Sequence, residues 1–242
     1  GLLIHYYRHA RSGLEVLISP KPGIDVAAVV TAYEVGSRFE VNGRTGLAHL
    51  FEHMMFRGTE SFPKPFETLA SWGGRFNAYT SPDVTVYFEL VPKTLFDDAV
   101  RFEAERMRKL SITQEGFDTE RGAVVSERKM RTEDSPMGRL YWELYQLAYD
   151  RHPYKTGPIG WQEDLDATTF EDALAFYDKF YSPGRAIISL VGDFTVREAL
   201  KTVDRHYGDF ESRDFAPPEV AAEPQRTGTR RKVIPMKVET VF

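Results

Sequence analysis

The stretch TGLAHLFEHMMF, residues 45–56, constrains the fold and the chemistry of this chain more than any other. His49 and His53 lie four residues apart within it, so on a helix both imidazoles face the same side. Glu52 directly precedes His53 and lies beside that face. In such an H-x-x-E-H pattern, two neutral imidazoles bind zinc and the carboxylate serves as a general base. The stretch therefore predicts a helix that carries part of a zinc site.

The residues around the two histidines favour a buried helix. An apolar surface beside the imidazoles comprises Leu47, Leu50, Phe51, Met54 and Met55. Imidazoles buried next to such a surface need polar partners, because an unsatisfied buried polar group is costly. A metal ion would supply those partners. The alternative is a pair of histidines hydrogen-bonded to carbonyl groups.

A catalytic zinc ion needs a third protein ligand, which must be His, Asp or Glu because the chain has no cysteine. The best candidates lie in residues 114–130, where Glu120 and Glu127 are seven residues apart and share a helical face. One of them can bind the metal while the other orients a ligand or contacts the substrate. Spacing alone does not separate this hypothesis from a solvated charged helix with Glu–Arg pairs.

Several segments of the chain resemble the pitrilysin-type, or insulinase-like, inverzincin zinc metallopeptidases. GLAHLFEHMMFRGT at residues 46–59 is similar to the family's active-site helix, and residues 76–88 are similar to its substrate-facing hairpin. Its second glutamate segment and its later landmarks match residues 120–127, 152–160, 180–183 and 191–194. All of these segments occur in the family's order, which is more specific than any single motif.

The resemblance implies roles for the residues of the predicted metal site. It implies that His49, His53 and Glu127 are the ligands of one zinc ion per chain. Glu52 matches the catalytic base, and Glu120 matches an acidic residue that assists catalysis without binding the metal.

Residues 73–91 form a predicted β-hairpin, because paired glycines and a Ser-Pro-Asp turn bound two strand-like runs. If the first strand lies at a sheet edge, an extended peptide can pair with it and many side chains are tolerated. The resemblance implies that Asn77 and Ala78 in this strand hold the substrate beside the zinc. Without the resemblance, the pattern is equally typical of an ordinary core hairpin.

The composition excludes several classes of protein. A chain of 242 residues with 42% hydrophobic residues suits one large domain or two small ones. A net charge of −5 gives no reason to expect nucleic acid as a partner. No apolar run is long enough to span a membrane. The absence of cysteine excludes disulfides and thiolate metal sites.

Strand and helix patterns mix along the chain without strict βαβ alternation, which predicts an α+β fold. We expect a mostly antiparallel sheet with helices packed on one face, as in a pitrilysin-like half-domain. Strands are predicted at residues 2–7, 14–18, 26–33 and 186–191, besides the hairpin. Beyond the H-x-x-E-H helix, helices are predicted at residues 65–72, 92–110, 115–132, 135–149, 169–180 and 196–207, with a loop at 150–166.

The composition also predicts how the chain divides into domains. Residues 1–213 are expected to form the catalytic zinc-peptidase domain, and Pro, Ala and Glu make residues 214–230 resemble a linker. Residues 231–242 then begin a second, absent domain or add a closing strand. The resemblance implies a second domain of similar fold, so the chain is expected to be the catalytic half only. The other half would lie on the same polypeptide or on a separate subunit.

The leading functional hypothesis is a zinc-dependent endopeptidase that hydrolyses extended or unfolded peptides and needs the second half for full activity. The alternative is a non-catalytic or partner-dependent subunit that binds zinc but is inactive alone. Scaffold members of the family have degraded metal motifs, whereas every matched site residue is present in this chain. That difference favours the peptidase.

Overall fold

A computed structural model describes residues 3–211, 216, 219–220 and 222–236 of the chain. Within this part, the strands are β1 (His5–Arg8), β2 (Glu15–Pro20), β3 (Val26–Tyr33), β4 (Arg75–Thr80), β5 (Thr85–Pro92) and β6 (Ala186–Gly192). The α-helices of the same part are α1 (Leu47–Met54), α2 (Pro65–Ser71), α3 (Phe96–Lys109), α4 (Gln114–Thr132), α5 (Pro136–Ala148), α6 (Gln162–Ala167), α7 (Phe170–Phe180) and α8 (Val196–Tyr207). None of these helices is long and apolar enough to cross a bilayer.

The six strands form a single sheet in the order β1-β2-β6-β3-β5-β4. Every neighbouring pair is antiparallel except β2 and β6, which run parallel. This arrangement confirms the predicted α+β class and its mostly antiparallel sheet. It also places β4, the first strand of the predicted hairpin, at one edge.

Helices cover one face of the sheet, as predicted. Residues of β3 and β6 alternate between buried and half-buried positions, so one face of each strand is enclosed. On that face α3 packs against β3 and β5, while α8 packs against β2 and α1 packs against β4 and β5. The sheet and its helices therefore form two layers, with the apolar core between them.

Helix α1 is fixed on the core by its apolar side. Leu50, Phe51 and Met54 are fully buried. The Phe51 ring stacks on Phe176 of α7 with centroids 5.5 Å apart, and the Tyr87 hydroxyl of β5 donates to the Phe51 carbonyl at 3.2 Å. The motif residues His49, Glu52 and His53 lie on the opposite side of the helix. The packing of α1 therefore presents the H-x-x-E-H side chains away from the core centre.

Some predicted elements differ from the structure; β1, for example, spans His5–Arg8 where a strand was predicted at residues 2–7. The predicted helix 92–110 begins only at Phe96, because residues through Pro92 continue β5 and pair with β3 as far as Val26. The predicted loop 150–166 contains a short 3-10 helix, Pro153–Lys155, and most of α6. Helix α6 has six residues, and Leu165 is its only buried one, so it has too little apolar periodicity to detect in sequence.

The C-terminal segment contacts the domain where a linker was predicted. The Glu223 carboxylate accepts hydrogen bonds from the consecutive backbone N–H groups of residues 150–152 at 2.6–3.0 Å. Residues 231–236 form neither helix nor strand, and residues 237–242 lie outside the described part of the chain. The predicted strand therefore has no counterpart at 231–236, and the domain limits stay a prediction.

Candidate metal centre

Helices α1 and α4 bring three predicted zinc ligands together. His49 and His53 project from α1, and Glu127 projects from α4. The Oε2 atom of Glu127 lies 3.6 Å from Nε2 of His49 and 3.3 Å from Nε2 of His53. One ligand atom from each of the three residues lies within 4.8 Å of the others.

This group has the chemistry and the dimensions of a catalytic zinc site. Two ligand atoms held at about 2.0–2.1 Å from one tetrahedral zinc ion lie roughly 3.3–3.4 Å apart. The distances from Glu127 to the two imidazoles, 3.3 and 3.6 Å, are close to that spacing. Two nitrogens and one carboxylate oxygen also leave a fourth position open, as catalytic zinc sites require. The residues therefore fit the metal that the sequence predicts.

Glu120 lies beside the ligand group but outside it. Its Oε2 atom is 3.3 Å from Nδ1 of His53, the ring nitrogen on the side away from Glu127. Arg57 donates to the other oxygen of Glu120 at 3.2 Å. The hydrogen bond to Glu120 raises the pKa of His53, and the same bond lowers the pKa of Glu120. Glu120 is therefore placed to orient a histidine ligand.

Arg131 binds the carboxylate of Glu127, as Arg57 binds that of Glu120. Its guanidinium lies 2.6 Å from Oε1 of Glu127, one helical turn earlier on α4. The pairing leaves Oε2 of Glu127 facing the two imidazoles. Glu120 and Glu127 therefore each have one oxygen on an arginine and one toward the histidines.

The side chain of His49 is more deeply buried than that of His53. His49 is 5% exposed, and burial lowers its pKa to about 3, with His53 and Arg131 contributing in the same direction. Its Nδ1 atom is buried and has no hydrogen-bond partner within the described part of the chain. His49 is therefore neutral at physiological pH, which is the form that binds a metal ion.

Glu52 lies beside the metal ligands without belonging to their group. The Thr80 hydroxyl of β4 donates to its Oε2 atom at 2.6 Å. Burial raises the pKa of Glu52, which brings a carboxylate closer to the range useful for proton transfer near neutral pH. The edge strand thus fixes the candidate base.

Asn77 and Ala78 lie on β4, the edge strand that also carries Thr80. Ala78 lines a cavity of about 410 Å³ together with His49 and Glu52. Asn77 is exposed, and its Oδ1 atom accepts a hydrogen bond from the N–H of Ala78 at 2.9 Å. The strand therefore runs along the mouth of the metal site, where an extended peptide could pair with it.

The far wall of this cavity is aromatic. Helix α5 contributes Tyr141, Trp142 and Tyr145, and Ile159 adds an aliphatic side chain. No residue of α5 is fully buried, and Tyr141 is 58% exposed. The cavity is thus polar at the metal side and apolar at the α5 side.

Several of these residues had no predicted role. Arg131 follows Glu127 by four residues, so the i,i+4 pairing rule could have identified it. Arg57 and Thr80 reach the site from other elements, and their contacts depend on how α1 packs against α4 and β4. Tertiary packing alone brings those two side chains to the site.

The metal-free chain should lose stability in acid through His49. A buried base whose pKa falls from 6.5 to about 3 stabilises the fold fully above pH 6.5, and this contribution is lost as the pH falls toward 3. The pKa of His53 is raised, so its contribution to stability is present below pH 6.5 and is lost as the pH rises above that value. Urea unfolding with a chelator present should show stability rising with pH more steeply in the native chain than in His49→Gln. The difference should approach about 1.4 kcal/mol per pH unit, the slope of one proton. Equal slopes would show that His49 titrates normally.

The fold and the arrangement of the site residues are those expected of the inverzincin class of metallopeptidase domains. An H-x-x-E-H helix, a glutamate seven residues after a second acidic residue, and an adjacent edge strand are its components. The chain belongs to the insulinase family, peptidase family M16. The model of that family matches residues 15–157, and the model of the peptidase M16 inactive domain matches residues 167–241.

Relatives in several organisms are named as peptidases. The chain is 34% identical over 231 residues to the zinc protease PqqE of Helicobacter pylori, covering 93% of this chain and 52% of that protein. It is 29% identical to a probable mitochondrial-processing peptidase subunit beta of Schizosaccharomyces pombe, covering 83% of this chain and 44% of that protein. The chain thus spans about half the length of the curated relatives it matches.

Solved structures show the same fold. The crystal structure of a protease from Helicobacter pylori superposes with a TM-score of 0.87 at 32% identity, covering 92% of this chain and 55% of that one. The periplasmic protease PqqL from Escherichia coli superposes with a TM-score of 0.81 at 25% identity, covering 93% of this chain and 26% of that one.

Proposed function

We propose that this chain is the catalytic half of a zinc-dependent endopeptidase that hydrolyses extended or unfolded peptides. The observation that carries the proposal is the convergence of His49, His53 and Glu127 on one point, with Glu52 lining the same cavity as His49. Three ligands and a separate carboxylate are the parts that zinc-dependent hydrolysis of a peptide bond uses. The names of the relatives support the reaction class.

The chain's own residues would divide the chemistry between them. His49, His53 and Glu127 would hold the zinc ion, which when bound polarises the scissile carbonyl and acidifies water. Glu52 would accept the proton of the attacking water and deliver it to the leaving amine. Thr80 keeps Glu52 oriented, and its hydroxyl leaves the Oε1 atom free to receive that proton.

The substrate would bind along β4. Backbone pairing at a sheet edge recognises main chain rather than side chains, so broad specificity follows. Asn77 would have to release the N–H of Ala78 before a peptide strand could use it. The aromatic wall formed by α5 would accept a large apolar side chain next to the scissile bond. Burying such a side chain against aromatic rings is favourable because it removes a large apolar area from water.

A second half-domain would complete the enzyme. The curated relatives are about twice as long as the matched region, and the cavity wall formed by α5 has little cover. Tyr141 and Leu144 of that helix are 58% and 53% exposed. These facts favour, as the second candidate, a zinc-bound half that turns over peptides only when its partner half closes the cavity.

The test is hydrolysis of an unstructured fluorogenic peptide library by the zinc-loaded chain, alone and with the separately produced second half. We expect cleavage that disappears with a chelator and returns with added zinc. Cleaved peptides should be enriched in large apolar residues next to the scissile bond. Activity that requires the second half would support the partner-dependent form. No cleavage in either mixture, with zinc bound, would contradict the peptidase proposal.

A further inference from the structure

The N-terminus of α1 lacks a cap from its own first residues. The N-cap residue is Gly46, with a φ of +90° and no side chain to accept from the first turn. A helix leaves its first N–H groups without intrahelical partners, and a buried end must find them elsewhere. A remote carboxylate does so here. Oε2 of Glu40 accepts from the N–H of Gly46 at 2.9 Å, and Oε1 accepts from the N–H of Ala48 at 2.7 Å.

A second carboxylate binds Thr45, the residue that precedes the N-cap. Asp164 of α6 accepts from the N–H of Thr45 at 3.1 Å and from its hydroxyl at 2.6 Å. The Thr45 hydroxyl oxygen in turn accepts from the N–H of Trp161 at 2.9 Å. Glu40 and Asp164 therefore both bind the backbone at the start of α1.

The start of the helix packs closely against the chain around Gly160 and Leu165. A Cβ atom at Gly46 would lie 2.7 Å from Cδ2 of Leu165, and a Cβ atom at Gly160 would lie 2.6 Å from the backbone nitrogen of Gly46. Both glycines have positive φ, +90° and +75°. The chain at residues 159–165 thus lies directly against the first turn of α1.

The two histidine ligands are held in different ways. Nδ1 of His53 contacts Glu120, which is fixed by Arg57. Nδ1 of His49 is buried and has no partner within the part of the chain that the structure describes. His49 is the third residue of α1, directly after Ala48. Its imidazole is therefore placed by the backbone of the first turn and by packing.

We infer that Glu40 is a positioning residue for His49, acting through the two backbone N–H groups that it binds at the start of α1. This inference rests on the proposed zinc site for its functional meaning. Glu40 would perform for His49, through the helix backbone, what Glu120 performs for His53 by direct contact. Glu40 itself does not contact the metal ligands in the described structure.

The experiment compares Glu40→Ala, Glu40→Gln and Thr195→Ala in the zinc-loaded and zinc-free chain. Thr195 caps α8, which carries no site residue, so its substitution controls for the general cost of a lost cap. Zinc affinity is measured by competition with a chromophoric chelator, and amide hydrogen exchange is followed in peptides covering residues 46–50.

Glu40→Ala should weaken zinc binding by about 10-fold or more, the range found for residues that orient metal ligands. Glu40→Gln retains one acceptor oxygen and should recover part of the loss. Thr195→Ala should keep the affinity within about two-fold of the native value, as expected for a distant site. Both Glu40 variants should speed exchange at residues 46–50.

Native affinity in a folded Glu40→Ala variant would overturn the inference, as would an equal loss in Thr195→Ala. If Glu40→Ala does not fold, Glu40→Gln gives the same two readouts. A native chain that binds no zinc would refute the proposed function instead. Hydrogen exchange in the zinc-free chain would still decide whether Glu40 holds the first turn.

Discussion

Glu52→Gln should abolish peptide hydrolysis while the zinc content stays unchanged. The amide keeps the size of the side chain and an oxygen that can accept from the Thr80 hydroxyl. It cannot take up a proton, so the attacking water loses its base. General acid–base catalysis contributes roughly 10²–10⁴-fold, and the rate should fall by at least that factor. Zinc content should not change, because Glu52 lies outside the ligand group formed by His49, His53 and Glu127.

The measurement is the cleavage rate of one good peptide from the library, with metal content determined on the same samples. Glu34→Gln is a matched control, because Glu34 is an exposed glutamate outside the cavity and the chemical change is identical. Native turnover by Glu52→Gln would remove the proposed base from the mechanism. Loss of zinc together with activity would instead place Glu52 among the ligands.

How much of the site the sequence could predict depends on how far each contact reaches along the chain. The relation of His49 to His53 is local, because an i,i+4 spacing puts two side chains on one face of any helix. The pairing of α4 with α1 is tertiary, and spacing left Glu120 and Glu127 interchangeable. The family resemblance assigned Glu127 to the zinc, and the packed structure places Glu127 at both Nε2 atoms and Glu120 at the Nδ1 atom of His53.

The fold shows the same division between local features, which the sequence predicts, and tertiary pairing, which it does not. The predicted strand at 26–33 and the predicted helix at 196–207 coincide with β3 and α8, because each has strong local periodicity. The parallel pairing of β2 with β6 was not predicted. Side-chain alternation reports which face of a strand is buried, but not which strand becomes its neighbour. Strand order therefore depends on the whole chain.

Glu40 illustrates a further limit of sequence patterns. A capping residue is normally sought at the N-cap or three residues beyond it, where the local rules apply. Here the acceptor lies six residues before Gly46 and follows a separate 3-10 helix, Ser37–Phe39. The local pattern around Gly46 therefore shows a helix without a cap, and only the structure shows the carboxylate that replaces it.

Replacing any one of the three proposed ligands should weaken zinc binding more than replacing Glu120 does. His49→Ala, His53→Ala and Glu127→Ala each leave two ligands of the described group, so each should lose zinc at chelator concentrations that the native chain withstands. Glu120→Gln retains an oxygen near Nδ1 of His53 but loses the charge that holds the imidazole. Its affinity should fall by roughly 10–100-fold, the effect of losing a residue that orients a ligand.

The order of these losses distinguishes a ligand from a residue that holds a ligand. Each ligand variant should bind zinc more weakly than Glu120→Gln, as measured by competition with one chelator at one pH. Glu127 provides the sharpest case, because Arg131 also binds its carboxylate at 2.6 Å and an ordinary surface ion pair would predict no metal effect. Unchanged zinc affinity in Glu127→Ala would exclude it from the ligand set. A larger loss in Glu120→Gln than in Glu127→Ala would exchange the two assignments, since both carboxylates lie within reach of His53.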